Sequence, residues 1–157
     1  MLRSATTDDL DALVALASRP EIARTLAFDT AATLPSVFEV ASGEVLVIED
    51  GGVLVGGVRW HLTNHRSRIA EIRTLMLSPE AHGRGLATAA VRALAERLFT
   101  KHRLHRVEAE VLGFNLPAQS VFERAGFVRE GIRRRAYNRE GGWQDSVFFG
   151  LLADEFV

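Results

Sequence analysis

The stretch SPEAHGRGLATAAVRAL, residues Ser78–Leu94, decides the reading of this chain. The run Arg73-Thr74-Leu75-Met76-Leu77 before it is strand-like, and Pro79 ends it because proline cannot donate to a ladder. Gly83 and Gly85 then flank Arg84, and an alanine-rich helical pattern starts at once. The first amides of a helix have no acceptor within it. They face the preceding loop, and the helix dipole adds positive potential there. Two glycines let an anionic group approach the main chain, and Arg84 adds a full charge. The spacing predicts a phosphate cradle with a pyrophosphate as its guest. The same glycines also suit a plain tight turn between strand and helix. The loop is not a Walker loop, which needs Gly-Lys-Ser/Thr, nor the dinucleotide fingerprint, because position 88 is Thr where a third glycine is required.

Working outward, "LRSA" is a short strand. "TTDDLDALVALASRP" is a helix capped by Thr6 or Thr7, with Leu10, Leu13, Val14 and Ala17 facing inward. A second helical stretch falls between Glu21 and Val40, interrupted by Pro35. "EVLVIED" and "GGVLVGGVRWHL" form a hairpin about Asp50-Gly51-Gly52, and "RIAEIRTLMLSP" is the next strand. From Gly85 to Phe99, Leu86, Ala90, Leu94 and Leu98 recur on one helical face. "HRVEAEVL" alternates, "LPAQSVFERAGF" is a short helix, and two strands close the chain around the "REGG" turn. The order is β-α-α-β-β-β-α-β-α-β-β. Antiparallel hairpins are followed by a strand–helix–strand crossover, which requires a parallel pair. The fold class is α/β (α+β): a mixed, mostly antiparallel sheet with one parallel pair, flanked by helices. Ligands of open sheets favour the carboxyl ends of such strands.

The chain has 157 residues, 47% hydrophobic and 25% charged, which suits a single domain over residues 1–157. A net charge of −1 gives no reason to expect a nucleic-acid or membrane partner. There is no cysteine, so disulfides, thiolate metal sites and a cysteine nucleophile are excluded. Acidic residues stand where a secretory signal would be apolar, and no stretch reaches about 18 uninterrupted apolar residues. A cytoplasmic location is the expectation. The pairs His61/His65 and His102/His105 lack a carboxylate or thiol at ligand spacing, so no metal is expected.

The cradle segment resembles the acetyl-CoA signature of the GNAT N-acetyltransferases, Gln/Arg-x-x-Gly-x-Gly/Ala. Here it reads His82-Gly83-Arg84-Gly85-Leu86-Ala87, with His at the first position. The segments "LRSATTDDLDAL", "EIRTLMLSPEAHGRGLAT" and "RVEAEVLGFNLPAQSVFERAGF" match the family in order and spacing. "EGIRRRAYNREGGWQDSVFFGLL" is similar to the closing hairpin of the branch that acetylates ribosomal-protein N-termini, and of its relatives acting on small amines. The resemblance covers nearly the whole chain. It implies a transferase that passes an acetyl group from acetyl-CoA to a primary amine by direct attack on the thioester, with no covalent enzyme intermediate. The acceptor would be a protein N-terminal α-amine or a small molecule.

The resemblance implies that the amides of Gly83, Arg84, Gly85, Leu86, Ala87 and Thr88 bind the pyrophosphate. The main chain of Leu75, Met76 and Leu77 would pair with the pantetheine where the parallel strands splay, and one of those amides could steady a developing oxyanion. Asn115 is a pantetheine contact in the family and equally a helix N-cap beside Pro117. Glu71 is the first candidate base, with Glu108 and Glu110 as alternatives; each suits a salt-bridged strand carboxylate too. Relatives place the acid tyrosine where this chain has Phe122, or a serine where it has Ala118. Tyr137, the only tyrosine, could substitute, or be a half-buried strand aromatic. The run Arg133-Arg134-Arg135 reads as a solvated strand edge or as an attractor of acidic peptide groups. A non-catalytic acyl-CoA sensor on the same fold, or an ATP-binding protein, would share the loop. Oligomeric state, a homodimer included, is left open.

Overall fold

The computed structural model describes residues 1–26, 38 and 44–157. Strands β1 (Leu2–Ser4), β2 (Val45–Asp50), β3 (Val53–Asn64), β4 (Ile69–Leu77), β5 (Arg106–Leu112), β6 (Val128–Arg139) and β7 (Gly142–Leu152) are hydrogen-bonded in the order β1-β2-β3-β4-β5-β7-β6. The helices are α1 (Leu10–Ser18), α2 (Pro20–Ala23), α3 (Leu86–Thr100) and α4 (Leu116–Arg124). Among the described residues the strand and helix order read from periodicity holds. Of the helix expected over residues 21–40, α2 is its start, and residues 27–37 and 39–43 lie outside the described ones.

By contacts the chain divides into two compact units: Met1–Trp60 with Arg73–Ala90, and His61–Ile72 with Val91–Val157. In the first unit α1 lays Leu13, Leu16 and Ala17 against Val45, Val47 and Met76, the inward face that the helical spacing predicts. Asp9 returns to the Thr6 amide at 2.8 Å and takes the Arg3 guanidinium in a two-pronged pair, holding its carboxyl well below the usual carboxylate range. The hairpin between β2 and β3 turns on Gly51 and Gly52, both at positive φ, as a two-residue turn matched to strand twist requires. Within β3, Gly56 has no room for a side chain. A Cβ there would lie 2.4 Å from the Met76 carbonyl oxygen of β4.

In the second unit β4 and β5 run parallel, from Ile69↔Arg106 to Ile72↔Ala109. The ladder stops after those four rungs, while β4 continues to Leu77 and β5 to Leu112. β5 pairs antiparallel with β7 along its whole length, and β7 pairs with β6. Phe122 of α4 is buried against Phe127 and Phe149, with ring centroids 5.2 and 5.8 Å away. β6 shifts register twice. Between Arg133 and Tyr137 four steps of β6 oppose two of β7, and Arg135 there has φ 48° with its amide donating to the Asp145 carboxylate at 2.8 Å.

Gly56→Ala should lower stability by about 1–3 kcal/mol, since the obstacle is main chain and cannot swing aside. Gly131→Ala, with nothing within 4 Å of the added methyl, should stay within about 0.5 kcal/mol. Denaturant midpoints of the two variants check this.

Candidate functional site

A first candidate site lies in the first unit. After β4, a short 3-10 turn over Pro79–Ala81 leads into the loop His82–Gly85 and then α3. Gly83 and Gly85 sit at φ 79° and 74°, backbone that side chains rarely adopt, and both are exposed with open space where a Cβ would be. The first backbone hydrogen bond of α3 runs from the Ala89 amide to the Gly85 carbonyl at 3.0 Å. The six amides from Gly83 to Thr88 therefore have no acceptor among the described residues. Such a row of donors at a helix N-terminus matches an anionic oxygen cluster.

Side chains frame the loop. Arg84 is exposed and pairs with Asp50 at 2.5 Å, so its charge is partly spoken for. His82 turns back, its Nε2 lying 2.9 Å from the Leu77 carbonyl oxygen. That bond ties the loop to the end of β4 through one of the carbonyls expected to meet a pantetheine arm. Met76 and Leu77 are buried, and Leu75, Leu86 and Ala87 pack beside Ile48, Ala81 and Ala90. The side chains of Met76 and Leu77 are core, and those of Leu75, Leu86 and Ala87 are partly buried against it.

One feature of β4 escaped sequence reasoning. Thr74 has φ 55°, a left-handed conformation that is an outlier for a β-branched residue. The Arg59 side chain of β3 donates from Nε to Thr74 Oγ1 at 2.7 Å and helps to hold it. Distortions of this kind cost about 1–3 kcal/mol and persist where the surroundings over-determine them. No sequence signal marks the position, because threonine is an ordinary strand residue.

A second candidate site lies in the second unit, on one face of β4, β5, β6 and β7. Register places Glu71 beside Glu108, and Glu110 two positions along β5 shares their face. Like charges side by side repel, and Arg106 answers one of them. Its Nε donates to Glu108 at 2.8 Å and its Nη1 to Glu130 at 2.9 Å. Glu110 is held differently. Tyr137 Oη donates to Oε1 at 2.8 Å, and the fully buried Ser146 donates to Oε2 at 2.5 Å. The double step in β6 is what brings Tyr137 there, two β7 positions on from Arg133. Burial pushes the Tyr137 phenol above its ordinary value, and the bond to Glu110 and the charges of Glu110 and Glu71 push it further. Arg133 opposes this from one side.

The remaining expected residues fall into plain roles. Asn115 caps α4, its Oδ1 accepting from the Ala118 amide at 3.3 Å. Phe122, at 3% exposure, is a core ring. Glu108 is engaged by Arg106. Arg134 and Arg135 are exposed on β6, a terminal strand of the sheet. Among the described residues no cluster of three metal-ligating side chains occurs, and no helix is long and apolar enough to cross a membrane.

Residues 1–128 match the family model described as "Acetyltransferase (GNAT) domain". The probable N-acetyltransferase YjcK of Bacillus subtilis (strain 168) is 40% identical over 74 residues, 46% of this chain and 41% of that protein. The putative ribosomal N-acetyltransferase YdaF of the same organism is 33% identical over 105 residues, 67% of this chain and 57% of its own length. The chain thus spans about half the length of these curated relatives. Among solved structures, a spermidine N-acetyltransferase from Vibrio cholerae in complex with CoA and spermine superposes with a TM-score of 0.85, covering 99% of this chain and 96% of its own at 23% identity, a likeness of fold. A probable acetyltransferase superposes at 0.82 and 27% identity, covering 99% of this chain and 93% of its own.

With one tyrosine in the chain, ultraviolet difference spectra report Tyr137 alone. Its ionisation midpoint should lie above about 10, the ordinary phenol value. Glu110→Gln removes the charge that disfavours phenolate, so the midpoint should fall. An unchanged midpoint in the variant would separate the two groups.

Proposed function

The chain belongs to the GNAT acetyltransferase family, and from that premise we propose that it transfers an acetyl group from acetyl-CoA to a primary amine. The acceptor is a protein N-terminal α-amine or a small-molecule amine, a reading supported by relatives named as a putative ribosomal N-acetyltransferase and a spermidine N(1)-acetyltransferase. The observation that carries the reading is the row of six unaccepted amides from Gly83 to Thr88, on an exposed loop that opens α3. The donors fit the cofactor's diphosphate. When bound, acetyl-CoA supplies a thioester whose carbonyl carbon the amine attacks, forming the C–N bond as the C–S bond breaks.

The chain's own groups then have separable tasks. The loop amides hold the diphosphate, and the main chain of Leu75, Met76 and Leu77 positions the pantetheine arm. His82 braces that segment through the Leu77 carbonyl. The left-handed turn at Thr74 re-aims the amides that follow it, which makes them the donors for negative charge on the reacting oxygen. Most primary amines are protonated at neutral pH, so a base must take a proton before or during attack. We assign that task to Glu71, which β4 carries beside Glu108, three positions before the left-handed Thr74 that redirects the strand.

Tyr137 is the candidate acid on position alone, but its energetics oppose that role. A phenol raised above about 10 is a weaker acid than the thiol of about 8.5 that it would have to regenerate. Its proton also points at Glu110. We therefore assign Tyr137 to positioning Glu110 and let the thiolate leave unaided.

Isothermal titration with acetyl-CoA tests the carrying observation. Gly85→Val, in a place open enough for the side chain but at φ 74°, should weaken acetyl-CoA at least about ten-fold, a loss of about 1.4 kcal/mol. No heat and no thermal shift with the parent chain would end the reading. Glu71→Gln should cut kcat by about 10²–10⁴ in a screen of amines and peptides that detects released CoA, with acetyl-CoA affinity unchanged. Binding without turnover across the whole screen would point to an acyl-CoA sensor instead.

A further inference from the structure

Glu110 is the most elaborately held carboxylate on the described face, and the transfer chemistry leaves it without a task. A carboxylate offers about four lone-pair sites. Tyr137 takes one on Oε1 at 2.8 Å, and Ser146 takes one on Oε2 at 2.5 Å. Both donors are neutral, so they orient the group and leave its charge unanswered. Ser146 is fully buried and Glu110 itself is mostly covered, which fixes the carboxylate's direction.

The cation nearest that carboxylate is the chain's own Arg133. Its Nη1 lies 3.5 Å from Oε2, beyond the roughly 2.7–2.9 Å of a charge-assisted hydrogen bond. The Arg133 side chain is 54% exposed, against 18% for Glu110. Its guanidinium also lies over the Phe148 ring, 5.1 Å from the centroid, within the range of a cation–π contact. Phe148 is the residue paired with Glu110 across β5 and β7, so ring and carboxylate adjoin on one face. The contrast with Arg106 is direct. That guanidinium donates to Glu108 at 2.8 Å and to Glu130 at 2.9 Å, as a structural ion pair does.

We propose that Glu110 and Phe148 form a recognition subsite for a cationic group of the acceptor, an alkylammonium or guanidinium, and that Arg133 is its exchangeable resident. The proposal rests on the transferase reading above and adds the class of acceptor: one that carries a positive charge besides the amine that reacts. Tyr137 and Ser146 are the positioning residues. They leave one lone pair on each carboxylate oxygen, an arrangement suited to two parallel N–H donors. Phe148 supplies the π-face that favours an organic cation over a hydrated metal ion. Arg133 sits on a strand segment next to the β6 register step and can withdraw into solvent when a better-seated cation arrives.

The test needs no turnover. The full chain is prepared with ring-labelled tyrosine, which gives the single Tyr137 resonance, and is titrated with ethylguanidinium and with the neutral isostere ethylurea. Ethylguanidinium should shift the signal saturably and ethylurea should not. Arg133→Ala removes the competitor, so half-saturation should fall by up to about five-fold, the most that an exposed pair is worth. Glu110→Gln should abolish the response. An equal response to ethylurea, a response that survives Glu110→Gln, or no response in a folded Arg133→Ala chain would overturn the proposal. An acetyl-CoA titration of the same samples keeps the two readings apart. Cofactor binding without a guanidinium response sinks the subsite alone, and the converse sinks the transferase reading alone.

Discussion

The geometry of this protein depends on β4 pairing with β5 at one end and not at the other. Its parallel ladder with β5 has four rungs, and two residues after the last of them Thr74 enters a left-handed conformation. A strand cannot keep its alternation through such a residue. The main chain that follows is turned, while its side chains, Met76 and Leu77, stay buried. The core therefore holds the segment in place beyond the last rung of the ladder with β5. Arg59 from β3 steadies the turn, and the His82 ring ties down the far end. The cradle loop then starts from a fixed point, which a row of amides needs if all are to face one anion.

The two candidate sites, one in each unit, use different physics. The loop site is made of main chain: partial charges on amides, held by a helix and two glycines. The site on β5, β6 and β7 is made of side chains, and its logic is the management of neighbouring carboxylates. Glu71, Glu108 and Glu110 share a face, where like charge would be costly. Each is given a different environment. Glu108 receives an arginine, Glu110 receives two hydroxyls, and Glu71 acts on Tyr137 through its charge. Three identical residue types on adjacent positions are thereby made chemically distinct.

How much of this could be read from the sequence follows from the range of each interaction. The elements were readable because periodicity is local: Leu13 and Ala17 face inward as their spacing requires, and Gly51-Gly52 turns the hairpin. The loop was readable because glycines, a charge and a helix start stand within a few residues of one another. Asn115 was readable as a helix N-cap beside Pro117, and its Oδ1 does accept from the Ala118 amide. Thr74 was not readable, since its conformation is imposed by packing and by a partner 15 residues away. The Tyr137–Glu110–Ser146 group was not readable either. Its members come from three strands and meet only because β6 shifts register, which no residue count reveals.

The ion pair that Arg106 makes with Glu130 lies across Gly150 of β7, where a Cβ would come within 2.6 Å of the guanidinium. Charged side chains here roof a stretch of bare backbone that would otherwise stand open to solvent. The shielding of the amides beneath is thus lent by β5 and β6 rather than by β7 itself. Hydrogen exchange at the middle of β7 should consequently respond to ionic strength, a dependence that purely apolar cover would not impose.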